Sequence, residues 1–291
     1  IFGGKMEKED IYLSTASWGK SEPTYETKQF LLALIIKEKI NNKKLNIIDA
    51  GAGLGRNSIY LSENGFDVTA IEYDEGAIDP LKDNIRENNQ SDNIRVINSN
   101  IIDYLRRQED HSIDAVLDSG MSHYLTLDEK EEYFMLLRQK MTEDGLFSIT
   151  HFSKEDKSAN GLSEDELRLL LEGMIELDDI HFDTWTDSIS KSEHFAYKGL
   201  LAMPDGRCNE IKDIYKRVYE LILDKKITSV EQIHEYLNGQ NAKTPILDSK
   251  TIGQGVVGEM QQIEEIDATM PVLQKHQQII REQQNGRQHE E

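Results

Sequence analysis

The chain has 291 residues and a formal net charge of −21 at pH 7, with 37% hydrophobic and 30% charged residues. This charge argues against general binding of duplex DNA, because neutralising phosphates takes a surface rich in Lys and Arg. The single cysteine, Cys208, excludes an internal disulfide framework and a cysteine-based zinc site. No apolar run approaches the ~20 residues of a membrane helix and no secretory signal is visible, so we expect a cytoplasmic protein.

Strands and helices alternate over the first two thirds of the chain. The predicted strands are seven short apolar runs: 45–49, 66–72, 94–98, 113–118, 146–151, 175–184 and 194–203. The predicted helices cover 24–40, 57–63, a segment broken near Pro80, 128–140, and a helix that begins at a capping box of Ser163 and Glu166. Such alternation predicts an α/β fold with a mostly parallel sheet and helices on both faces; the last two strands are expected to be antiparallel neighbours.

A turn-forming string at Pro204-Asp205-Gly206 separates this region from a helical one. We therefore predict an N-terminal lid and helix over 1–44, a central domain over 45–204, and a helical accessory segment with a polar tail over 205–291. A helix-turn-helix over 229–259 is an alternative for this last segment. Its linker is longer than the usual 3–4 residues, and its second helix carries three glycines and one lysine, which favours docking or dimerisation over DNA reading.

A glycine-rich turn over 49–57, DAGAGLGRN, follows the first predicted strand and opens a helix. Glycines at such a turn permit unusual backbone angles and a close approach of the backbone to a ligand. Glu72 ends the next strand, where a carboxylate can accept hydrogen bonds from ribose hydroxyls. Arg56 stands where a third dinucleotide-binding glycine would lie, so the spacing supports NAD binding only weakly. An ordinary glycine-rich turn between a strand and a helix, without a ligand, is the other alternative.

Three segments in this order resemble the motifs of class I S-adenosylmethionine-dependent methyltransferases: 49–55, 68–72 and 114–118. The resemblance covers about residues 12–204 and implies a Rossmann-like seven-stranded sheet. Residues 55–61, 65–70 and 118–125 are most similar to the small-molecule branch, which includes tellurite-resistance and thiopurine methyltransferase-like enzymes. The DNA-methylating enzymes usually carry an Asp/Asn-Pro-Pro-aromatic string after strand four, whereas this chain has Asp118-Ser119-Gly120-Met121.

The resemblance implies a set of residues that bind S-adenosylmethionine: Asp49, Gly51, Ala52, Gly53, Gly55, Glu72, Tyr73, Asn100, Ile101 and Asp118. In this set Glu72 holds the ribose, while Asp118 lies beside the transferred methyl group. Asn100 stands where the family usually has Asp, and its side-chain oxygen can still accept a hydrogen bond from the adenine amine.

Four residues are expected to line the acceptor: Tyr12, Trp18, Tyr124 and His151. His123, just after the fourth strand, is the candidate general base, because the pKa of an ordinary histidine suits proton transfer near neutrality. A loop histidine without a catalytic role is the alternative for His123, and strand-end packing is the alternative for His151. No metal is expected, because His123, His151 and His194 lack ligand spacing.

These observations lead to two functional hypotheses. The first is an enzyme that transfers a methyl group from S-adenosylmethionine to a small molecule, with no nucleic-acid or membrane partner. The second is a non-catalytic module that binds the cofactor and uses its helical C-terminus to bind a partner protein or to regulate transcription. A homo-oligomer or a protein partner would use the C-terminal helices in either case. The sequence does not identify the methyl acceptor.

Overall fold

The computed structural model describes residues 23–186, 191–204 and 206–239. The strands are β1 (Ile47–Ala50), β2 (Val68–Glu72), β3 (Ile94–Asn98), β4 (Ile113–Ser119), β5 (Met141–Phe152), β6 (Ile175–Thr186) and β7 (Glu193–Ala202). The helices are α1 (Tyr25–Asn41), α2 (Arg56–Glu63), α3 (Glu75–Glu87), α4 (Ile101–Arg106), α5 (Leu127–Lys140), α6 (Glu164–Leu170), α7 (Gly206–Leu223) and α8 (Val230–Gly239).

All seven strands form one sheet in the order β3-β2-β1-β4-β5-β7-β6. The first five strands are parallel, whereas β7 runs antiparallel to both β5 and β6. The carboxyl ends of β1 to β5 therefore meet at one edge of the sheet. The start of β7 and the end of β6 lie at this same edge, where ligands bind in open α/β sheets. This topology confirms the predicted α/β fold and the antiparallel final pair.

Burial explains why these segments become strands and helices. Every residue of β1 is buried, as expected for a central strand covered on both faces. A large core cluster joins β4 and β5 to α4, α5 and α6, and a smaller one joins β2 to α2 and α3. Residues 26–37 of α1 are all buried, so α1 is covered around its whole circumference rather than on one face alone.

One local expectation was wrong, and one helix was not predicted. The helix containing Pro80 is continuous, because Asp74 caps its N-terminus through the Gly76 amide and a buried face of Ala77, Leu81 and Ile85 holds it in place. The short helix α4 was not predicted. It begins where the side chain of Asn100 accepts a hydrogen bond from the Ile102 amide, and a single capped helix of six residues gives little periodic signal.

The chain divides into two compact units, Ile1–Lys216 and Arg217–Glu291, so the division falls inside α7 and beyond the predicted boundary at Pro204. The first half of α7 belongs to the first unit, where Cys208, Ile211 and Tyr215 are buried. Arg207 donates hydrogen bonds to the carbonyl of Ile40 and to Asn41 Oδ1 at the end of α1.

The structure describes only residues 217–239 of the second unit. The second helix of the alternative helix-turn-helix lies outside the described residues. Among the helices that are described, none is both long and apolar enough to cross a membrane.

Candidate active site

The turn between β1 and α2 wraps around the carboxylate of Glu72. Gly51, Gly53 and Gly55 all have positive φ angles, of 72°, 56° and 86°, which L-residues rarely adopt. Glu72 accepts hydrogen bonds from the backbone amides of Gly53 (2.8 Å) and Asp74 (2.8 Å), one with each carboxylate oxygen. Each oxygen keeps a second acceptor position, so the carboxylate can still bind the hydroxyls of a ligand.

The three glycines of this turn differ in their surroundings. A Cβ at Gly51 would lie 2.6 Å from the Cβ and Cγ of Met121, and a Cβ at Gly55 would lie 2.5 Å from Leu81 Cδ1. A Cβ at Gly53 would have no neighbour within 4 Å among the described residues. Two glycines therefore permit tight packing, while the backbone at Gly53 faces open space. Ala52, between Gly51 and Gly53, is half-buried and packs against the smaller core cluster.

Asp49 lies beneath this turn and is buried. Its Oδ2 accepts a hydrogen bond from the Ser58 hydroxyl (2.6 Å), which ties β1 to the first turn of α2. Burial raises the pKa of Asp49 to about 6, although the Ser58 hydrogen bond and the charge of Arg56 act in the opposite direction. Asp49 can therefore hold the turn in place from below.

Asp118 is also fully buried, at the end of β4. Its Oδ1 accepts hydrogen bonds from the amides of Met121 (2.8 Å) and Ser122 (3.2 Å), and burial raises its pKa to about 6. The side chain thus shapes the turn after β4. A direct contact of Asp118 with the transferred methyl group stays a prediction.

The residues expected to hold adenine lie at the ends of β2 and β3. Tyr73 has a side chain in open solvent, with 73% of its surface exposed. Asn100 uses its side-chain oxygen to cap α4, and Ile101 is buried in the large core cluster. Ser99 donates its amide proton to the Glu72 carbonyl (3.0 Å), which brings the start of α4 close to Glu72. An adenine contact for these residues stays a prediction.

The turn after β4 carries His123 and Tyr124. The His123 ring is buried, stacks on Phe152 (centroids 3.9 Å apart) and has no hydrogen-bond partner among the described residues for either nitrogen. Its neighbour Tyr124 is 68% exposed. His151 is buried beside them, with its Nδ1 2.9 Å from the Ser122 hydroxyl and its Nε2 without a described partner. Burial lowers the pKa of both histidines to about 3, so both rings are neutral at pH 7.

A row of rings extends this wall along the edge of the sheet. Phe152 also packs against His194 of β7 and Trp185 of β6, with ring centroids 5.2 and 5.7 Å away. His194 Nδ1 lies 2.9 Å from Asp156 Oδ2. From the sequence, His194 was considered only as part of a rejected metal site, and Asp156 was not among the predicted site residues. No local pattern in the sequence points to this group, because Trp185 and His194 come together only through the register of β6 and β7.

Two predicted lining residues, Tyr12 and Trp18, lie outside the described residues. Within the described ranges, no group of three or more His, Cys, Asp or Glu side chains is placed to hold a metal ion. The structure therefore brings together the glycine turn, Glu72 and the turn after β4. It places the row of rings at the same edge, next to β4.

Comparison with known proteins agrees with this geometry. Residues 47–145 match the family model of a methyltransferase domain. The ribosomal RNA small subunit methyltransferase A of Streptococcus thermophilus (strain ATCC BAA-491 / LMD-9) is 35% identical over 72 residues, which are 25% of this chain and 24% of that protein. The chain thus spans about a quarter of the length of the curated relatives that it matches.

Solved structures share the fold at low identity. A structure from work on the conversion of a disulfide bond into a thioacetal group during echinomycin biosynthesis is 16% identical, with a TM-score of 0.51, and the match covers 72% of this chain and 96% of that one. TehB from Haemophilus influenzae is 19% identical with a TM-score of 0.49, over 59% of this chain and 61% of its own. The match of residues 47–145 to a methyltransferase domain, together with the order of the seven strands, indicates an enzyme with a Rossmann-like methyltransferase fold.

Proposed function

We propose that this protein transfers a methyl group from S-adenosylmethionine to a small-molecule acceptor. One observation carries the proposal. The turn closed on Glu72 leaves open space at Gly53, and the same edge of the sheet continues into a wall of neutral rings. A cofactor on the first feature would present its methyl group toward an acceptor on the second. The resemblance to the tellurite-resistance and thiopurine branch supports a small acceptor.

The bound cofactor supplies a methyl group already activated by a sulfonium leaving group, so the protein has mainly to bind, align and exclude water. In this proposal the backbone from Gly51 to Gly53 holds the methionine part and Glu72 holds the ribose hydroxyls. Tyr73 and Asn100 border the adenine. Asp49 fixes the glycine turn and Asp118 fixes the turn after β4, and these two turns contact the ligands.

His123 and His151 contribute neutral hydrogen-bonding groups to the acceptor side. Their buried nitrogens without described partners can accept a hydrogen bond from, or donate one to, a polar acceptor. A pKa of about 3 makes His123 a weak base at pH 7, so we assign it a role in binding the acceptor rather than in removing its proton. Tyr124, exposed beside it, borders the same space.

A ribosomal RNA acceptor is the second candidate, and the 72-residue match to an RNA methyltransferase favours it. The net charge of −21 opposes it, because phosphate contacts need Lys and Arg. A non-catalytic cofactor-binding module is the third. The role of residues 205–291 in docking or dimerisation stays a prediction.

Labelled S-adenosylmethionine separates these candidates. The chain is incubated with a panel of thiols, phenols and amines and, separately, with a small-subunit ribosomal RNA fragment. Transfer to a small molecule supports the proposal, and transfer to the RNA alone supports the second candidate. Cofactor binding without transfer to any acceptor contradicts both.

Calorimetry tests the cofactor site itself. We expect Glu72→Gln to weaken S-adenosylmethionine binding by ~10- to 100-fold, about 1–3 kcal/mol, because a charge-assisted hydrogen bond to ribose is lost. Gln retains an oxygen for one of the two backbone amides, so the turn keeps part of its support. Glu75→Gln, three residues later in the first turn of α3, is the matched control and should bind normally. Unchanged affinity in a folded Glu72→Gln chain would remove Glu72 from the site.

A further inference from the structure

A histidine–carboxylate pair lies at the acceptor edge, and the proposed function leaves it unused. His194 is the second residue of β7 and pairs with Trp185 of β6. Its Nδ1 lies 2.9 Å from Asp156 Oδ2, which comes from the segment after β5. Because β7 is antiparallel to β5, His194 lies at the same edge as the carboxyl ends of β4 and β5.

Asp156 is an ionised anchor for this ring. It accepts hydrogen bonds from the amide and hydroxyl of Ser158 (2.9 and 2.5 Å) and from the amide of Phe195 (3.1 Å). Burial alone would raise the pKa of Asp156, but these donors and His194 outweigh it and lower the pKa. An ionised carboxylate requires His194 Nδ1 to donate. In the neutral ring, Nε2 therefore carries the lone pair.

The His194 ring is also oriented by packing. It lies 5.2 Å from the Phe152 ring at 27° and 5.4 Å from the Trp185 ring at 32°. Phe152 stacks on His123 in turn, so His194 belongs to the row of rings that starts at the turn after β4. The His194 side chain is 18% exposed, whereas His123 and His151 are almost completely buried. Of these three histidines, His194 alone combines a carboxylate partner with solvent access.

We infer that His194, oriented by Asp156, is the general base that takes the proton of the methyl acceptor. The inference rests on the proposed function, and it specifies the acceptor as a group that still carries its proton, such as a phenol O–H or an N–H. The acceptor heteroatom forms a bond to the methyl carbon, and the methyl–sulfur bond breaks with its electron pair passing to sulfur. The acceptor proton goes to His194 Nε2, and the resulting imidazolium is paired with the Asp156 carboxylate.

Other charged groups pack around this pair. His123 interacts electrostatically with both Asp156 and His194, from the turn after β4. Lys198 lies over the Trp185 ring, 5.2 Å from its centroid, and is paired with Glu26 (2.7 Å) and Asp183 (2.6 Å). The positive charge beside Trp185 is thus matched by two carboxylates, and Asp156 is the carboxylate bonded directly to His194.

The test uses the full chain, labelled S-adenosylmethionine and the acceptors that the wild type methylates. We expect His194→Ala to lower kcat/KM by ~100- to 10,000-fold for phenols and N–H acceptors. The Kd for the cofactor, measured by calorimetry, should be unchanged. A thiol that is already ionised at the assay pH should lose far less. Added imidazole should restore part of the lost rate, and more of it as pH rises through the range where imidazole becomes neutral.

Asp156→Asn and His181→Ala complete the design. Asp156→Asn should also lower kcat/KM, because a neutral amide cannot stabilise the imidazolium form of His194. The factor should be smaller than for His194→Ala, because the base itself is retained and Asn keeps an oxygen for the backbone amides. His181 is exposed on β6, bonded to the carbonyl of Asp179, and His181→Ala should retain the wild-type rate with no response to imidazole.

Two results overturn the inference in different ways. If the wild type methylates an O–H or N–H acceptor and a folded His194→Ala chain does so equally well, His194 is not the base and the proposed function stands. If the wild type binds the cofactor and methylates no acceptor, the inference about His194 and the proposed function both fail. If His194→Ala is unfolded by circular dichroism, His194→Gln is measured in its place, and a full rate in that variant is equally contradictory.

Discussion

Gly53 differs from its neighbours in the turn because its backbone faces empty space. At Gly51 and Gly55, which also have positive φ angles, a neighbouring side chain lies within 3 Å of the position that a Cβ would occupy. At Gly53, no described atom lies within 4 Å of that position. Its amide donates to Glu72, so its position is fixed by the same carboxylate that is proposed to bind ribose. A side chain at position 53 would therefore enter the space proposed for the ligand without contacting described residues of the protein.

Gly53→Val tests this. We expect it to abolish measurable cofactor binding, because a β-branched side chain would enter the open space and resist the positive φ. Gly65→Val is the matched control, since Gly65 also has a positive φ (93°) and no neighbour within 4 Å of a Cβ, but it follows α2 away from the site. Both variants should lose ~1–3 kcal/mol of stability from backbone strain. Calorimetry should show binding lost only in Gly53→Val; equal affinity in both would place the cofactor elsewhere.

The two sides of the candidate site differ in how far the sequence could predict them. The glycine turn and Glu72 are contiguous motifs whose spacing fixes their place at one sheet edge. His194 and Asp156 come from β7 and an irregular segment, and their contact depends on a strand register that no local pattern specifies. For His123, the sequence predicted the location but not the burial, which is the largest cause of its lowered pKa and makes the ring a weak base.

Among the elements, α7 follows the predicted boundary at Pro204, and the division between the two compact units falls inside it. Its first half belongs to the same compact unit as the sheet, and Ile211 is fully buried there. Toward the other end of α7, Leu223 has about half of its surface exposed. The first compact unit therefore includes buried residues that follow the last strand.

Ile211→Ala should lower the free energy of unfolding by ~2–5 kcal/mol, because a buried side chain is replaced by a cavity. Leu223→Ala, in the same helix and with the same class of side-chain loss, should cost well under 1 kcal/mol. Urea denaturation followed by circular dichroism measures both. Equal, small losses would mean that the chain up to Pro204 is self-sufficient, as the sequence predicted.

Elements with strong periodicity or complete burial could be predicted from the sequence. The seven strands were found because their apolar runs are bounded by turn residues, and α6 because its capping box precedes closely spaced leucines. The helix predicted over 128–140 corresponds to α5. The continuity of α3 and the existence of α4 could not be found locally. Tertiary packing overrides the cost of Pro80 in the first case, and one capping asparagine starts a helix of six residues in the second.

At the scale of the whole molecule, two buried carboxyls link stability to pH. Burial raises the pKa of Asp49 and of Asp118 to about 6, against about 3.9 in an unfolded chain. As pH rises, these two carboxyls therefore stay protonated to a higher pH in the folded chain than in the unfolded chain. Between about pH 4 and pH 6, these two groups therefore lower the free energy of unfolding as pH rises. Above about pH 6 their effect no longer changes with pH, and the folded chain keeps the whole destabilisation.

Asp49→Asn should remove one of these contributions. We expect the variant to show a flatter fall in stability between pH 4 and pH 6 and to be more stable than the wild type at pH 7 by about 2 kcal/mol, because the neutral amide is buried without ionising and can still accept from Ser58. Asp83→Asn, on the exposed side of α3, is the control with no such change. Chemical denaturation across this range would contradict the assignment if Asp49→Asn and the wild type gave parallel curves.

The contact between Gly51 and Met121 restricts how this protein can change by mutation over evolutionary time. The Met121 side chain occupies the space that any side chain at position 51 would need, yet the two residues lie in separate turns. One turn is proposed to hold the cofactor and the other to border the acceptor. Because the Cβ of residue 121 is itself part of this contact, a lineage can gain a side chain at position 51 only after position 121 has become glycine or its turn has moved. Diversification of the acceptor turn toward new substrates is therefore historically tied to the cofactor turn, and substitutions at these two positions are expected to arise in a fixed order.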